Sequence, residues 1–166
     1  TRDVAKCRDN KAEVSRIFSE TFFARCLLAI VSFIFLCLLI LIVPDFKENA
    51  EILFVTFLMI PGYIMFPDWF FQAIERMRYT TITNLLVKTI FTVAVFIFIK
   101  EKGDYIIVPL LASLGTVAAG IIAMYLILKK WDYSLHRISF HSVILAIKRS
   151  TDVFINNLFP NLYNSL

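Results

Sequence analysis

Lys88 stands inside one of the longest apolar stretches of this chain, and Thr80, Asn84 and Thr92 accompany it at intervals of four residues. Four residues turn an α-helix by about 400°, so each of these side chains falls about 40° from the last. Together they draw one slowly drifting polar stripe. Lys88 lies about 12 Å along the axis from Thr80, at about 1.5 Å per residue, which is near mid-membrane for a spanning helix. A cation there costs at least about 2.5–3.5 kcal/mol on insertion scales, and snorkelling of the long side chain relieves part of it. Two readings follow: Lys88 faces a wet cavity and meets an anion, or it pairs with an acid elsewhere in a bundle.

The preceding apolar stretch carries Asp68 and Gln72 on one face, with Glu75 continuing it. Asp68 is a counter-ion for Lys88, a proton site, or a partner for backbone groups freed near Pro67. Arg25 lies at the charged end of an earlier apolar stretch, where Arg serves as a snorkelling anchor or as a substrate contact. Nothing in the chain resembles a nucleophile elbow or a phosphate-cradling glycine loop. Cys7, Cys26 and Cys37 have neither a disulfide framework nor metal-ligand spacing. His136 and His141 read as plain interfacial residues.

These groups must be carried by membrane-spanning helices. Hydrophobic residues make up 59% of the chain and charged residues 18%, against roughly half and a quarter in soluble domains. The apolar residues are gathered in blocks. Cys26 to Val43 and Ile106 to Leu128 contain no charge at all, and a hydrocarbon core of about 30 Å needs roughly 20 such residues in helical form. A soluble helical core is the discarded alternative. The expected architecture is an all-α, polytopic transmembrane bundle.

Residues 1–20 alternate Lys and Arg with Asp and Glu and read as a helix end, a turn near Asp9-Asn10 and a helix leading into the membrane. Four spans fill residues 21–128: about Thr21 to Val43, Ile52 to Ile74, Thr80 to Ile99 and Tyr105 to Leu128. Pro44 ends the first. Pro61, Gly62 and Pro67 predict a kink in the second. In the fourth, Gly115, Ala119 and Ala123, with Thr116 and Gly120 beside them, form a ridge on which helix backbones can approach closely. Residues 129–149 read as an interfacial connector helix. Residues 150–166 begin a further span, whose Asn156, Asn157, Asn161 and Asn164 around Pro160 predict an irregular helix bordering a cavity. With no initiator Met and an apolar segment at its last residues, the chain reads as part of a longer transporter.

Lys and Arg alternate between loops. Residues 1–20 carry Arg2, Lys6, Arg8, Lys11 and Arg16; the loop after the second span carries Arg76 and Arg78; the connector carries Lys129, Lys130, Arg137, Lys148 and Arg149. The intervening loops carry Lys47, and Lys100 with Lys102. The richer loops are expected on the cytoplasmic side, and Tyr105, Trp131 and Tyr133 are expected in aromatic belts. The formal charge of +4 thus reflects orientation and not nucleic-acid binding.

The run Pro67-Asp68-Trp69-Phe70-Phe71-Gln72-Ala73-Ile74-Glu75-Arg76-Met77 resembles the "WFFQG-x-E" signature of Wzx-type O-antigen flippases, with Ala73 where that family often has Gly. Thr1 to Ala5, Asp104-Tyr105 and Pro160 to Tyr163 resemble further parts of the same family, so the likeness covers essentially the whole chain. It implies the multidrug/oligosaccharidyl-lipid/polysaccharide exporter superfamily, with two helix bundles around a central cavity. On that mapping the chain runs from the end of the second span of the whole protein to the start of the seventh. Residues 129–149 then join the bundles. The resemblance implies a multi-pass protein of the bacterial inner membrane that flips an undecaprenyl-pyrophosphate-linked oligosaccharide. No enzymatic activity or cofactor is implied, beyond coupling to H+ or Na+. The implied partners are membrane lipids, a polysaccharide polymerase and a chain-length regulator. Lys88, Arg25, Asn84, Asp68 and Gln72 are the expected substrate-binding residues, and Trp69, Phe70, Phe71, Gln72 and Glu75 the family motif.

Two other readings compete. A cation-coupled multidrug exporter of the same superfamily would favour buried acids over cavity cations, and Asp68 is the residue that keeps it in play. A membrane polysaccharide polymerase or transferase would need a large external loop or an acid/base cluster, and the loops within this chain are too short to hold one.

Overall fold

The computed structural model describes Val4, Cys7 and residues 10–100, 106–136, 138–148 and 150–151. The expectations for Thr1 to Ala5 as a motif, Asp104, Tyr105 and the asparagines from Asn156 onward lie outside the described residues. Among the described residues there is helix and no strand. Four helical stretches are long and apolar enough to cross a membrane: Lys11–Ile42, Ala50–Ala73, Met77–Phe98 and Ile107–Lys130. The shortest has 22 residues, about 33 Å at 1.5 Å per residue, which matches the hydrocarbon thickness.

The first span is one helix, α1 (Lys11–Ile42). Asn10 caps it, its side-chain oxygen accepting from the Glu13 N–H at 3.3 Å, which satisfies one of the orphan donors of the first turn. With 32 residues, α1 is about 48 Å long, so its charged first turns project beyond the membrane. It stops at Ile42 because Pro44 pushes Val43 into an extended conformation, φ −100°, ψ 116°. The segment expected as a plain loop after it contains a short helix, α2 (Pro44–Glu48), with Pro at its start.

The second span is broken twice, into α3 (Ala50–Phe57), α4 (Met59–Met65) and α5 (Asp68–Ala73). Pro61 has no N–H for the Phe57 carbonyl, and its ring crowds that carbonyl; the first break falls at Leu58, one residue on. Pro67 makes the second. Ser113 of the fourth span brings its hydroxyl to the Val55 carbonyl at 2.8 Å, beside the first break, and to the Pro109 carbonyl of its own helix at 2.6 Å. The Val55 carbonyl also accepts from the Leu58 N–H at 3.2 Å, so the hydroxyl is a second donor that ties the fourth span to the second beside the break.

The third span is α6 (Met77–Phe98), and the fourth is α7 (Ile107–Tyr125) closed by a π-helical turn, Leu126–Lys130. The fourth span lies in the middle, packed against α3 and α4 on one side and α6 on the other, while α1 packs on α4. The small-residue ridge makes this possible. A methyl group on Gly62 would lie 2.6 Å from the Thr116 carbonyl carbon, and one on Gly120 would lie 2.6 Å from Met65 Cβ. Ala119 and Ala123 are buried on the same ridge.

Apolar side chains such as Leu41 and Phe96 point outward, 79% and 81% exposed, as expected where the solvent is lipid. The buried core gathers instead at one end of the bundle, around Val14, Phe18, Phe70, Phe71, Ile74, Ile127 and Trp131. The connector departs from expectation. It is helical over residues 140–148, whereas the described residues between 131 and 139 are not helical.

Candidate functional site

The family-like run builds the turn between the second and third spans. Helix α5 ends with Ile74 as its cap residue, and Glu75 takes the left-handed conformation, φ 54°. The Glu75 N–H donates to the Gln72 carbonyl at 3.1 Å and the Arg76 N–H to the Phe71 carbonyl at 2.9 Å. These two bonds define a Schellman motif, which satisfies the last carbonyls of the helix and reverses the chain sharply. A left-handed residue here is usually Gly; the chain uses an acid. Gln72 and Glu75 are both exposed at this turn.

The aromatic residues of the run fasten all four spans together. Phe70 and Phe71 are 0% and 1% exposed. Phe70 meets Phe18 of α1 at 4.8 Å between centroids and Tyr133 of the connector at 5.2 Å, edge-on. Phe71 meets Trp131 at 5.6 Å, and Trp131 meets Tyr79 of α6 at 5.0 Å. Trp131 and Tyr133 therefore face the bundle and not the lipid, which corrects the expectation of belt residues. Edge-to-face pairs of this kind contribute about 0.5–1.5 kcal/mol each beyond their burial, so the motif's first role is structural.

Of the expected binding residues, the fold brings two together, Arg25 and Asp68, beside Trp69 of the motif. The Arg25 guanidinium carbon stands 5.8 Å from the Trp69 ring centroid, and Arg25 and Asp68 lie within each other's electrostatic field. Trp69 in turn stacks on Phe18 at 6.2 Å. Asp68 is thus close enough for its charge to act on Arg25, and among the described residues no ion pair joins it to Lys88.

Lys88 and Asn84 stand apart on α6. Lys88 is exposed and Asn84 half-buried, and neither side chain has a hydrogen-bond or ion-pair partner among the described residues. Thr80 Oγ1 is buried without a partner. Thr92 turns its hydroxyl back to the Lys88 carbonyl at 2.8 Å. Three of the four polar groups on the stripe are therefore without a partner among the described residues.

Two arrangements lie outside the expectations drawn from the sequence. In the first, Ser15 and Ser19 of α1, 3% and 0% exposed, hold the connector. Ser15 Oγ accepts from the Ser134 N–H at 3.2 Å, and Ser19 Oγ accepts from the His136 N–H at 3.0 Å. Ser19 donates to the Ser15 carbonyl at 2.7 Å. The second is a set of cations on aromatic faces: Arg76 lies 4.9 Å over Trp131, and Lys130 lies 5.1 Å over Tyr79 with its ammonium donating to the Tyr79 hydroxyl at 3.1 Å. Serine spacing of four on a helix was a usable signal for the first. The second joins residues about 50 positions apart in sequence, which no local pattern reveals.

The architecture is that of an all-helical, polytopic membrane protein. The family model described as polysaccharide biosynthesis protein matches residues 1–166, and the chain belongs to that family. It is 28% identical over 165 residues to a protein of Escherichia coli (strain K12) named "Putative O-antigen transporter", covering 99% of this chain and 40% of that protein. It is 23% identical over 163 residues to a Shigella dysenteriae protein of the same name, covering 98% of this chain and 41% of that one. The chain thus spans about two fifths of the length of these relatives. No solved structure matches it significantly.

Proposed function

We propose that this chain forms part of a transporter that carries an O-antigen, capsule or exopolysaccharide repeat unit across the bacterial inner membrane. The cargo in this reading is an oligosaccharide linked to undecaprenyl pyrophosphate, and the protein flips it without chemical change, with H+ or Na+ as coupling ion. The observation that carries the reading is the unsatisfied stripe on α6. A lysine near mid-span, uncovered by its three neighbouring spans, cannot rest in lipid cheaply. The rest of the protein must cover it or water must reach it, and a pyrophosphate crossing hydrocarbon requires cationic, hydrated surroundings. Two relatives named for O-antigen transport support the cargo class. Two bundles rocking about a site near the bilayer midplane supply the movement. The Arg25–Asp68 relationship weighs against a cation-coupled multidrug exporter, because it gives the acid a cationic neighbour.

The test is surface polysaccharide in a flippase-null strain carrying the full-length protein, normalised to membrane abundance. Lys88→Ala abolishes or strongly reduces it while the protein stays inserted. Lys88→Arg keeps part of it, because Arg pairs with phosphate but differs in shape and hydration. Full activity of Lys88→Ala overturns the reading.

A further inference from the structure

The cations of Lys11, Arg76 and Lys130 come from three separate places in the chain and converge on one pocket. It has a volume of about 260 Å³ and is walled by these three residues with Trp131, Asp132 and Tyr133. All the contributing segments lie at the same end of the bundle: the start of α1, the turn after α5, and the π-helical end of the fourth span. Three cations stand against one acid. Neither Lys11 nor Arg76 nor Asp132 forms an ion pair among the described residues.

The pocket is built and not merely charged. Arg76 is held by its stacking on Trp131, and Lys130 by its contacts with the Tyr79 ring and hydroxyl. Stacking occupies one face of the guanidinium and one N–H is shared with the Tyr79 hydroxyl, while the remaining N–H groups match the oxygens of a phosphate. Lys130 gives one N–H to Tyr79 and keeps two. Trp131 is 8% exposed, yet its indole N–H has no hydrogen-bond partner among the described residues. Its nitrogen is closed off from solvent, so Trp131 serves the pocket as a wall and as the ring that carries Arg76.

We propose that this pocket binds the phosphate of an anionic lipid headgroup entering from the adjoining leaflet. Its position at the span ends puts it at headgroup depth, where basic pockets between helices recognise phosphate-bearing lipids. The site is distinct from the α6 stripe and stands whether or not Lys88 contacts cargo. The recognised chemistry is a phosphate ester on an apolar anchor, with the phosphodiester of a bulk phospholipid and the diphosphate of a polyprenyl lipid as the two sources.

Native mass spectrometry of the full-length protein, released from bilayers of phosphatidylethanolamine and phosphatidylglycerol, tests this. The wild type retains one phosphatidylglycerol in preference to phosphatidylethanolamine. Each cation removed lowers that preference about five-fold, since a basic residue at an anionic headgroup contributes on this scale. Arg76→Gln and Lys130→Gln also lose aromatic contacts, so Lys11→Gln is the decisive variant: Lys11 is exposed and has no stacking partner. It weakens retention without lowering the thermal midpoint. Adding inorganic pyrophosphate separates the sources. Displacement of the bound lipid supports the proposal and assigns the diphosphate; persistence of the bound lipid supports it and assigns the phosphodiester. Equal retention of phosphatidylglycerol by wild type and Lys11→Gln, or no preference in the wild type, overturns it.

Discussion

Arg25 and Trp69 meet across the first two spans, the guanidinium carbon 5.8 Å from the indole centroid, with Asp68, the neighbour of Trp69, in the field of the same cation. Charge and ring therefore act on Arg25 together. A double-mutant cycle on the full-length protein makes this measurable. Arg25→Gln and Asp68→Asn should be non-additive in thermal stability by about 0.5–1.5 kcal/mol, and Lys88→Gln with Asp68→Asn should add within about 0.5 kcal/mol. Strong coupling in the second cycle, with none in the first, would place Asp68 with Lys88 after all.

The crossing of the second and fourth spans is set by two glycines. Because a methyl on Gly62 would meet backbone of Thr116 and Val117 within 2.7 Å, Gly62→Ala should cost about 1–3 kcal/mol, the usual penalty of overpacking. Gly120→Ala should behave alike, since it would meet Met65 Cβ and the Gly62 carbonyl. Gly115→Ala should be milder: its methyl would find only the Val87 side chain, at 3.2 Å. Thermal midpoints of the three purified variants check the order, and an equal effect at all three positions would contradict it.

Replacing Ser15 and Ser19 together by Ala strands the N–H groups of Ser134 and His136, each at about 1–3 kcal/mol if it stays buried. The connector should therefore detach. Hydrogen exchange over residues 131–136 should rise by at least about ten-fold, while exchange within α7 stays put. Unchanged protection of the connector would show that aromatic packing of Tyr133 alone holds it.

Orientation is checked by single cysteines in a cysteine-free background. The basic bias of the loops predicts that Asn49→Cys labels from outside intact cells and Ser134→Cys does not. Both side chains are exposed, so access and not burial decides the result. The reverse pattern would invert the topology.

The spans are legible in the sequence because a helix of such length without a charge is stable in lipid and rarely anywhere else. The kink is legible because proline removes a donor wherever it stands. Helix ends can be read to within a few residues, with Asn10 and Pro44 as local signals. The connector is harder. Its apolar residues look amphipathic whether or not the backbone is claimed elsewhere, and Ser15 and Ser19 claim part of it. Trp131 has the sequence position of a belt residue, near a span end, but its facing depends on the neighbouring helices. Among candidate residues, Lys88 is legible as a charge in apolar surroundings. The partner of Asp68 is not, because that depends on which spans are neighbours.

The Ser113 hydroxyl at the Val55 carbonyl spans 58 positions of sequence, and a ribosome delivers those two residues in order. At roughly 5–20 residues per second, the interval is about 3–12 s. Through that interval the second span has already been made and its proline break lacks the hydroxyl that later attends it. The Val55 carbonyl meanwhile accepts from the Leu58 N–H of its own span at 3.2 Å, so the serine arrives as a second donor, one that ties the last-made span to one already in place.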